Sequence, residues 1–303
     1  MRFFADQLTL GLTLGAIYAL IALGYTLVYG IIELINFAHG DVYTVGGLIG
    51  LSVIGVLGLE HASPLLIAGG LVLVFLVAMT LNGLLGVLIE RVAYRRLRNA
   101  PRLAPLITAV GVSFILEGAI FLIKGPNHIS YPNLLPGGSI GIAGYSLALE
   151  NLIIIVLALC LMVGLQQFIQ RTRMGRAMRA TAQDRDAARL MGININRTIA
   201  VTFFIGSALA AAGGIINGFY FQDIIFNQGF QAGLFAFTAA VFGGIGNVVG
   251  ASIGGFAIGV IVAMVAGYFQ GGQQWSDVVV FSILILVLVF RPSGLLGMQV
   301  PEK

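Results

Sequence analysis

The chain has 303 residues, of which 58% are hydrophobic and 9% are charged, and its mean hydropathy is +1.00. A soluble domain carries about 25% charged residues, so the composition excludes a soluble enzyme or binding module and indicates a polytopic membrane protein. The formal net charge is +4. The basic residues are concentrated in two segments, with five arginines in Arg91–Arg102 and seven in Gln170–Arg197.

Both basic segments are expected on the cytoplasmic side, because lysine and arginine accumulate in the cytoplasmic loops of membrane proteins. This bias already explains their charge, so nucleic acid is not an expected partner. The longer segment, Gln170–Arg197, lies between two long apolar runs and is expected to contact a soluble protein.

Apolar runs, most of them long enough to cross a bilayer, fill most of the rest of the chain. They are Leu8–Ile32, Val42–Leu59, Leu65–Ile89, Leu103–Ile123, Asn151–Phe168, Thr198–Phe219, Leu234–Val249, Ala251–Phe269 and Val278–Phe290. Leu234–Val249 is expected to be a short or broken helix, and the short run Val278–Phe290 is expected to begin at about Trp275. The first run exceeds the apolar core of a secretory signal peptide, which is roughly 7–15 residues. We therefore predict an all-α polytopic membrane protein, a single transmembrane domain over residues 1–303 with roughly 8–10 helices, some of them broken or re-entrant.

Small residues recur every four positions in the first run, at Gly11, Gly15 and Ala19. They do so again near the carboxyl end, at Gly255, Gly259, Ala263 and Gly267. Such faces allow transmembrane helices to approach closely, so both are predicted packing surfaces. The lone Cys160 is expected to face lipid or a neighbouring helix, since one cysteine forms no internal disulfide.

The number of crossings constrains the second half. If Tyr220 lies outside and Arg291 inside, an odd number of crossings separates them, so the glycine-punctuated run Leu234–Val249 must itself cross.

The external segment Lys124–Glu150 carries three prolines and a Gly-Gly pair and predicts turns and a short hairpin. Whether the amino terminus lies inside depends on how Leu34–Leu59 enters the membrane, which the sequence leaves open.

Polar side chains interrupt the apolar pattern at Glu33–Asp41. Charged groups at membrane depth usually face a cavity or partners, so Asn36, His39 and Asp41 are candidates for the translocation path or a gate. The alternative, which we favour, is a structural one: a re-entrant turn that satisfies its own backbone, with Asn36 or Asp41 as a helix cap.

Glu117 lies in the middle of an apolar run and is the fourth candidate for the path. It could hydrogen-bond Asn82 or a backbone group of another helix. A role in proton coupling would suit a secondary transporter. The stretch Phe219–Phe230 mixes aromatic residues with Asp223 and several amides, and is typical of either an external contact surface or an interfacial belt.

Catalytic and metal-binding chemistry is not expected. The three histidines, His39, His61 and His128, are far apart in the sequence, and no G-x-x-x-x-G-K-[ST] phosphate loop is present. No metal and no cofactor is therefore expected, and any ATPase must be another polypeptide.

A short amphipathic helix is predicted within the long basic segment. Asp184, Ala187, Ala188 and Met191 follow the i, i+3, i+4, i+7 spacing of one helical face, and Gly192 provides a stop. Alanines on an exposed face would allow a partner protein to close around the helix. A helix lying beneath the lipid headgroups has the same pattern.

Four motifs in order resemble one family. Asp186-Ala187-Ala188-x-x-x-Gly192 resembles the EAA signature of bacterial ABC importer permeases, with Asp in place of Glu. Its context Arg176–Ile193 is similar to the branched-chain amino acid permeases of the LivH type. So are Ile35–Tyr43, Phe237–Gly246 and Arg291–Gly297. The resemblance covers nearly the whole chain, although Thr198–Phe204 lacks the proline that follows the signature elsewhere.

The resemblance implies a permease subunit of an ATP-driven importer in the bacterial cytoplasmic (inner) membrane. Its cargo would be leucine, isoleucine and valine or related small polar solutes. The coupling helix would dock on an ATP-binding subunit through Asp184, Asp186, Ala187, Ala188, Met191 and Gly192. The implied partners are two ATP-binding subunits, a homologous second permease or a second copy of this chain, and an extracytoplasmic solute-binding protein. An ATP-independent carrier or channel using Glu33, Asp41 and Glu117 is the alternative.

Overall fold

The computed structural model describes residues 2–34, 36–98, 100–101, 103–142 and 145–297. The helices are α1 (Arg2–Ile32), α2 (His39–Leu57), α3 (Pro64–Ile89), α4 (Leu103–Lys124), α5 (Leu149–Arg171), α6 (Arg173–Gln183), α7 (Arg185–Leu190), α8 (Ile195–Phe221), α9 (Gln228–Gly243), α10 (Val248–Tyr268) and α11 (Gly272–Phe290). Eight helices within the described residues are long and apolar enough to cross a membrane. The predicted all-α polytopic fold is confirmed. Ile35 of the amino-terminal motif and Arg102 of the first basic loop lie outside the described residues.

The short strands among the described residues lie in the loops after α4 and α8, at the external face. Strand β1 (Ile129–Ser130) pairs antiparallel with β4 (Asp223–Ile224), which joins the loop after α4 to the loop after α8. Strands β2 (Ser139–Ile142) and β3 (Tyr145–Ala148) pair antiparallel next to each other in the sequence, so the predicted external hairpin is confirmed. The turn between them lies outside the described residues.

Helices α1 and α8 form the centre of the bundle, whereas α4 and α11 are the most exposed of the spanning helices. The small-residue faces of α1 and α10 pack directly on each other. A Cβ atom added at Gly259 would overlap the backbone of Gly15, and one at Gly255 would overlap Ala19. The two packing faces predicted from the sequence are thus partners of each other.

The short helices α2 and α9 meet inside the bundle through glycines. A Cβ at Gly229 would overlap the backbone of Gly40, and Gly233 packs on the same turn of α2. On its other side α2 packs on α8, where Gly47 lies against Gly214. Close backbone approach replaces side-chain interdigitation at these crossings, as in many membrane helix pairs.

The direction of α1 settles the question that the sequence left open. Its carboxyl end at Ile31 accepts a hydrogen bond from Arg185 of the long basic segment, so it lies on the basic face. Helix α2 then begins beside Gly24, eight residues back along α1 and therefore about 12 Å deep. It ends at Leu57 on the opposite face, so the chain does not double back. With the basic face cytoplasmic, the amino terminus is external.

Helix α9 makes the crossing that parity required. It follows β4 at the external face and is 16 residues long. At its other end, the carbonyl oxygens of Phe242 and Gly243 accept from the backbone N–H groups of Leu295 and Leu296, beyond α11. The crossing helix thus begins six residues earlier than the run Leu234–Val249 and ends at Gly243. The chain then turns through Gly244 and Gly246, whose φ angles of +110° and +90° favour glycine.

Candidate functional site

The long basic segment forms two helices, α6 and α7, between the cytoplasmic ends of α5 and α8. Thr172 caps α6 by accepting a hydrogen bond of 2.9 Å from the backbone N–H of Gly175. Gly175 lies against the backbone of Ile169, where any side chain would clash, so α6 turns sharply back under the bundle. Met178 and Thr181 on α6 are buried there. The segment therefore packs against the membrane helices.

The sequence specifies both ends of α7. Asp184 Oδ1 accepts from the backbone N–H groups of Asp186 and Ala187 at 2.9 and 3.0 Å, which is the usual cap of a helix N-terminus. Gly192 has a φ of +83° and ends the helix in a left-handed conformation. The short helix predicted over Asp184–Met191, with its stop at Gly192, is therefore present.

The expected exposed alanine face is only partly correct. Ala187 is exposed, but Ala188 retains 4% of its accessible surface and belongs to the hydrophobic core. The outward apolar surface comes instead from Leu190 and Met191, which are 88% and 82% exposed. The expectation was wrong for Ala188 because α7 rests on the bundle and its upper face is already covered.

Arginines connect this segment to other helices. Arg185 Nη2 donates to the carbonyl oxygen of Ile31 at the end of α1, at 3.0 Å. Arg98, just beyond α3, donates to the side chain of Asn196 at the start of α8, at 2.6 Å. Arg98 also pairs with the fully buried Glu90. Burial lowers the pKa of Arg98 and Glu90 opposes that shift, but a guanidinium remains charged throughout the physiological range.

The helical extension of α3, residues 90–97, continues the helix at its cytoplasmic end. The candidate residue Asn36 ties the break after α1 to this cytoplasmic extension of α3. Its Oδ1 accepts a hydrogen bond of 2.9 Å from the hydroxyl of Tyr94, and both side chains are buried. The candidate His39 is also buried. It packs where Gly24 leaves space on α1 and contacts the ring of Tyr25 edge to face, with centroids 4.9 Å apart. Both contacts position helices.

The remaining two candidates lie together. Ser113 on α4 donates to Asp41 Oδ2, and Glu117 lies one turn further along α4, close enough to interact electrostatically with Asp41. Asp41 is fully buried, and its Oδ1 has no hydrogen-bond partner among the described residues. The structure therefore places Asp41 and Glu117 near each other where α2 meets α4, whereas Asn36 contacts Tyr94 instead.

The suggested bond between Glu117 and Asn82 is wrong. Asn82 is fully buried, and its amide donates to the carbonyl oxygens of Val42 and Ser207.

Sequence reasoning also missed Glu90, Tyr94 and Leu190. Glu90 is the one acidic residue beside the first basic run, a signal that could have indicated an ion pair; Tyr94 and Leu190 carry no such signal.

These features define a multi-pass membrane protein whose polar cytoplasmic segment carries a capped helix with exposed apolar residues. Comparison with known proteins identifies its class. The family described as the permease component of branched-chain amino acid transport systems matches residues 7–288. The chain belongs to this family.

Individual relatives agree over nearly the full length. The chain is 44% identical to the high-affinity branched-chain amino acid transport system permease protein BraD of Pseudomonas aeruginosa, over 99% of this chain and 98% of that protein. It is 44% identical to the corresponding protein LivH of Salmonella typhimurium and 42% identical to LivH of Escherichia coli, with the same coverage in both cases. The resemblance found in the four motifs is therefore confirmed.

Proposed function

We propose that this chain is the membrane-spanning permease subunit of an ATP-driven importer for branched-chain amino acids. Residues 1–303 act as one permease domain, with Gln170–Arg197 as its coupling segment, in the bacterial cytoplasmic (inner) membrane. The subunit itself is not catalytic, and ATP hydrolysis takes place on separate chains. Leucine, isoleucine and valine are the proposed cargo, because the relatives are named for branched-chain amino acid transport.

The observation that carries this proposal is the exposed end of α7. Leu190 and Met191 are more than four-fifths exposed, although they lie on a polar cytoplasmic segment outside the membrane helices. Exposed apolar side chains next to polar ones are typical of a contact surface for another protein. We assign Asp184, Asp186, Ala187, Ala188, Met191 and Gly192 to this coupling helix. Asp184 and Gly192 fix its ends, and Ala188 packs it against the bundle.

The contacts of this segment suggest how movement of a docked ATPase reaches the membrane. Arg185 bonds the end of α1, and Arg98 links the end of α3 to α8. Helices α1 and α8 are the centre of the bundle. A shift of α7 would therefore act on the helices that contact most of the others. ATP can bias the permease between inward- and outward-open states only if the ATPase binds the two states with different affinity.

The proposed assembly contains two ATP-binding subunits, a homologous second permease or a second copy of this chain, and an external solute-binding protein. Reconstitution in proteoliposomes tests it directly. The wild-type chain with all partners should take up leucine when ATP is supplied and take up none when ATP or the ATP-binding subunits are left out. Uptake by the permease alone, driven by a proton gradient, would overturn the proposal.

One observation favours a second candidate, a proton-driven carrier. Asp41 and Glu117 lie near each other within the spans, and intramembrane carboxylates often carry protons in transporters. However, Asp41 already accepts a hydrogen bond from Ser113 at a helix crossing, which gives it a structural role. This alternative also assigns no role to α7. We therefore place Asn36, His39, Asp41 and Glu117 in helix positioning or a gate.

A further inference from the structure

A cavity of about 360 Å³ lies between α1, α2, α8, α9, α10 and α11, and its lining runs from Asp223 and Gln273 near the external face to Tyr43 of α2. Its volume is within the range of about 300–1,000 Å³ that is usual for small-molecule sites. It is separate from α7, and none of the path residues proposed above lines it. The segment Phe219–Phe230, which the sequence left between two interpretations, contributes Asp223 and Gln228 to its wall.

One wall of the cavity is acidic. Asp223 and Asp277 line it, and no lysine or arginine is among the described residues of the lining. Asp277 accepts a hydrogen bond of 3.1 Å from Gln231, which also lines the cavity and holds the carboxylate in place. Asp223 contacts His128 Nδ1, which lies outside the lining, whereas Asp277 has no lysine, arginine or histidine partner among the described residues. Asp277 therefore favours a ligand that brings its own positive charge.

Two amides in the same lining have unused hydrogen-bonding capacity. Asn217 is only 7% exposed and has no hydrogen-bond partner among the described residues. Gln228 has a buried Nε2 that is also without a partner there. Buried polar side chains are nearly always hydrogen-bonded in native proteins. Donors left free at one side of a cavity therefore indicate a ligand with acceptor atoms, such as a carboxylate.

Part of the lining, on α1 and α10, is apolar. Leu14 and Ile17 contribute from α1, and Val262 and Ala266 contribute from α10. These positions are brought together by the glycine faces through which α1 and α10 pack. A branched aliphatic side chain of a ligand would be removed from water here, with a gain of about 25 cal/mol per Å² of apolar surface buried.

We propose that this cavity is a cargo-binding site inside a single permease chain, entered from the external side and shaped for a zwitterionic aliphatic amino acid. The ammonium group lies at Asp277, the carboxylate at Asn217, and the side chain between α1 and α10. The choice of leucine, isoleucine and valine rests on the proposed function, whereas the requirement for an ammonium, a carboxylate and an aliphatic group comes from the lining.

Cysteine labelling tests the site in the assembled transporter. Cys160 is the chain's one cysteine, so Cys160→Ala gives a background without thiols. Ala232→Cys then places a thiol in the cavity lining, and Gln274→Cys places one beside the lining residue Gln273 but outside the cavity. The reagent is a membrane-impermeant methanethiosulfonate. Leucine should slow labelling of Ala232→Cys and leave Gln274→Cys unchanged.

Fragments of leucine identify the contacts. The amine 3-methylbutylamine, which lacks the carboxylate, should protect Ala232→Cys better than 4-methylpentanoate, which lacks the ammonium. Adding Asp277→Asn should raise the leucine concentration needed for half-protection roughly tenfold or more, since a hydrogen bond to a charged group is lost. Asp6→Asn, an exposed external carboxylate away from the cavity, is the matched control. An unchanged Gln274→Cys labelling rate shows that Asp277→Asn still folds.

The outcomes distinguish a failure of the cavity assignment from a failure of the proposed function. If the wild-type transporter imports leucine, but leucine gives Ala232→Cys no protection or Asp277→Asn leaves that protection intact, the cavity assignment is wrong and the function stands. If the wild-type transporter imports no leucine, the proposed function fails. The cavity assignment then survives only if a zwitterionic aliphatic amino acid protects Ala232→Cys and 4-methylpentanoate does not.

Discussion

The side-chain amide of Asn82 on α3 donates a hydrogen bond of 2.8 Å to the backbone carbonyl oxygen of Ser207 on α8, and another of 3.0 Å to that of Val42 on α2. One fully buried side chain thus joins three membrane helices. No water is available at this depth to replace those donors.

Asn82→Ala should therefore destabilise the bundle. Interhelical hydrogen bonds in membrane proteins are worth about 0.6–2 kcal/mol each, so a loss of about 1–4 kcal/mol is expected for the two. The measurement is the midpoint of thermal unfolding in mild detergent. Thr80→Ala is the matched control, because Thr80 is exposed on the same helix and bonds only the carbonyl oxygen of Leu76 within it. Equal midpoints for the two variants would contradict the joining role.

Gly259→Ala should be more disruptive than its single methyl group suggests. The added Cβ would overlap the backbone of Gly15 across the α1–α10 crossing, where no flexible side chain can move aside. Overpacking of this kind costs about 1–3 kcal/mol. Gly118→Ala on α4 is the control, since a Cβ there meets no atom of the described residues within 4 Å. Thermal unfolding of both variants checks the expectation, and a stable Gly259→Ala protein would contradict it.

The packing role of the small-residue faces on α1 and α10 was predictable, because small residues at four-residue spacing allow close helix approach in a membrane. Their pairing with each other was not predictable, since spacing does not identify the partner helix. The crossing by α9 was predictable from parity alone. The burial of Ala188 was not predictable, since spacing shows which residues share a helical face and not which face the bundle covers. The Asn36–Tyr94 bond joins residues 58 positions apart, and only the packing of α3 against the amino-terminal break brings them together.

Glu90→Ala should strongly destabilise the cytoplasmic extension of α3. Glu90 is fully buried and pairs with both Arg95 and Arg98. Removing Glu90 leaves the guanidinium groups of Arg95 and Arg98, which are 32% and 14% exposed, without their partner, at a cost of about 1–3 kcal/mol. Arg98→Ala should also lower the unfolding midpoint and should free Asn196, whereas Arg96→Ala, at an exposed position, should leave it unchanged. If Arg96→Ala and Arg98→Ala behave alike, the ion pair does not hold this segment.

Leu190→Glu combined with Met191→Glu should detach the ATP-binding subunits and leave the permease folded. Both side chains point away from the bundle, and central interface residues commonly contribute at least about 2 kcal/mol to binding. Affinity purification should recover at least roughly tenfold less ATP-binding subunit, with an unchanged unfolding midpoint for the permease. Gln183→Glu, at the exposed carboxyl end of α6, is the control for added charge.

Ala188→Glu should affect both binding of the ATP-binding subunits and stability, unlike the Leu190→Glu and Met191→Glu pair. Ala188 lies in the hydrophobic core where α7 packs on the bundle, so a glutamate at this position would have to be buried or would displace α7 from the bundle. Loss of the ATP-binding subunits should therefore come with a lower unfolding midpoint. If Ala188→Glu releases these subunits while stability is unchanged, Ala188 itself belongs to the contact surface.

Glu117→Gln distinguishes the two sources of driving force. An ATP-driven importer needs no proton to pass along Asp41 and Glu117, and glutamine has nearly the same shape as glutamate. ATP-dependent leucine uptake should then stay within about twofold of wild type, and the unfolding midpoint should be unchanged. Glu150→Gln, at the external start of α5, is the matched acid-to-amide control. A carrier that moves protons through this pair would lose transport with Glu117→Gln and keep it with Glu150→Gln. Uptake should accordingly be measured with ATP alone and with a proton gradient alone.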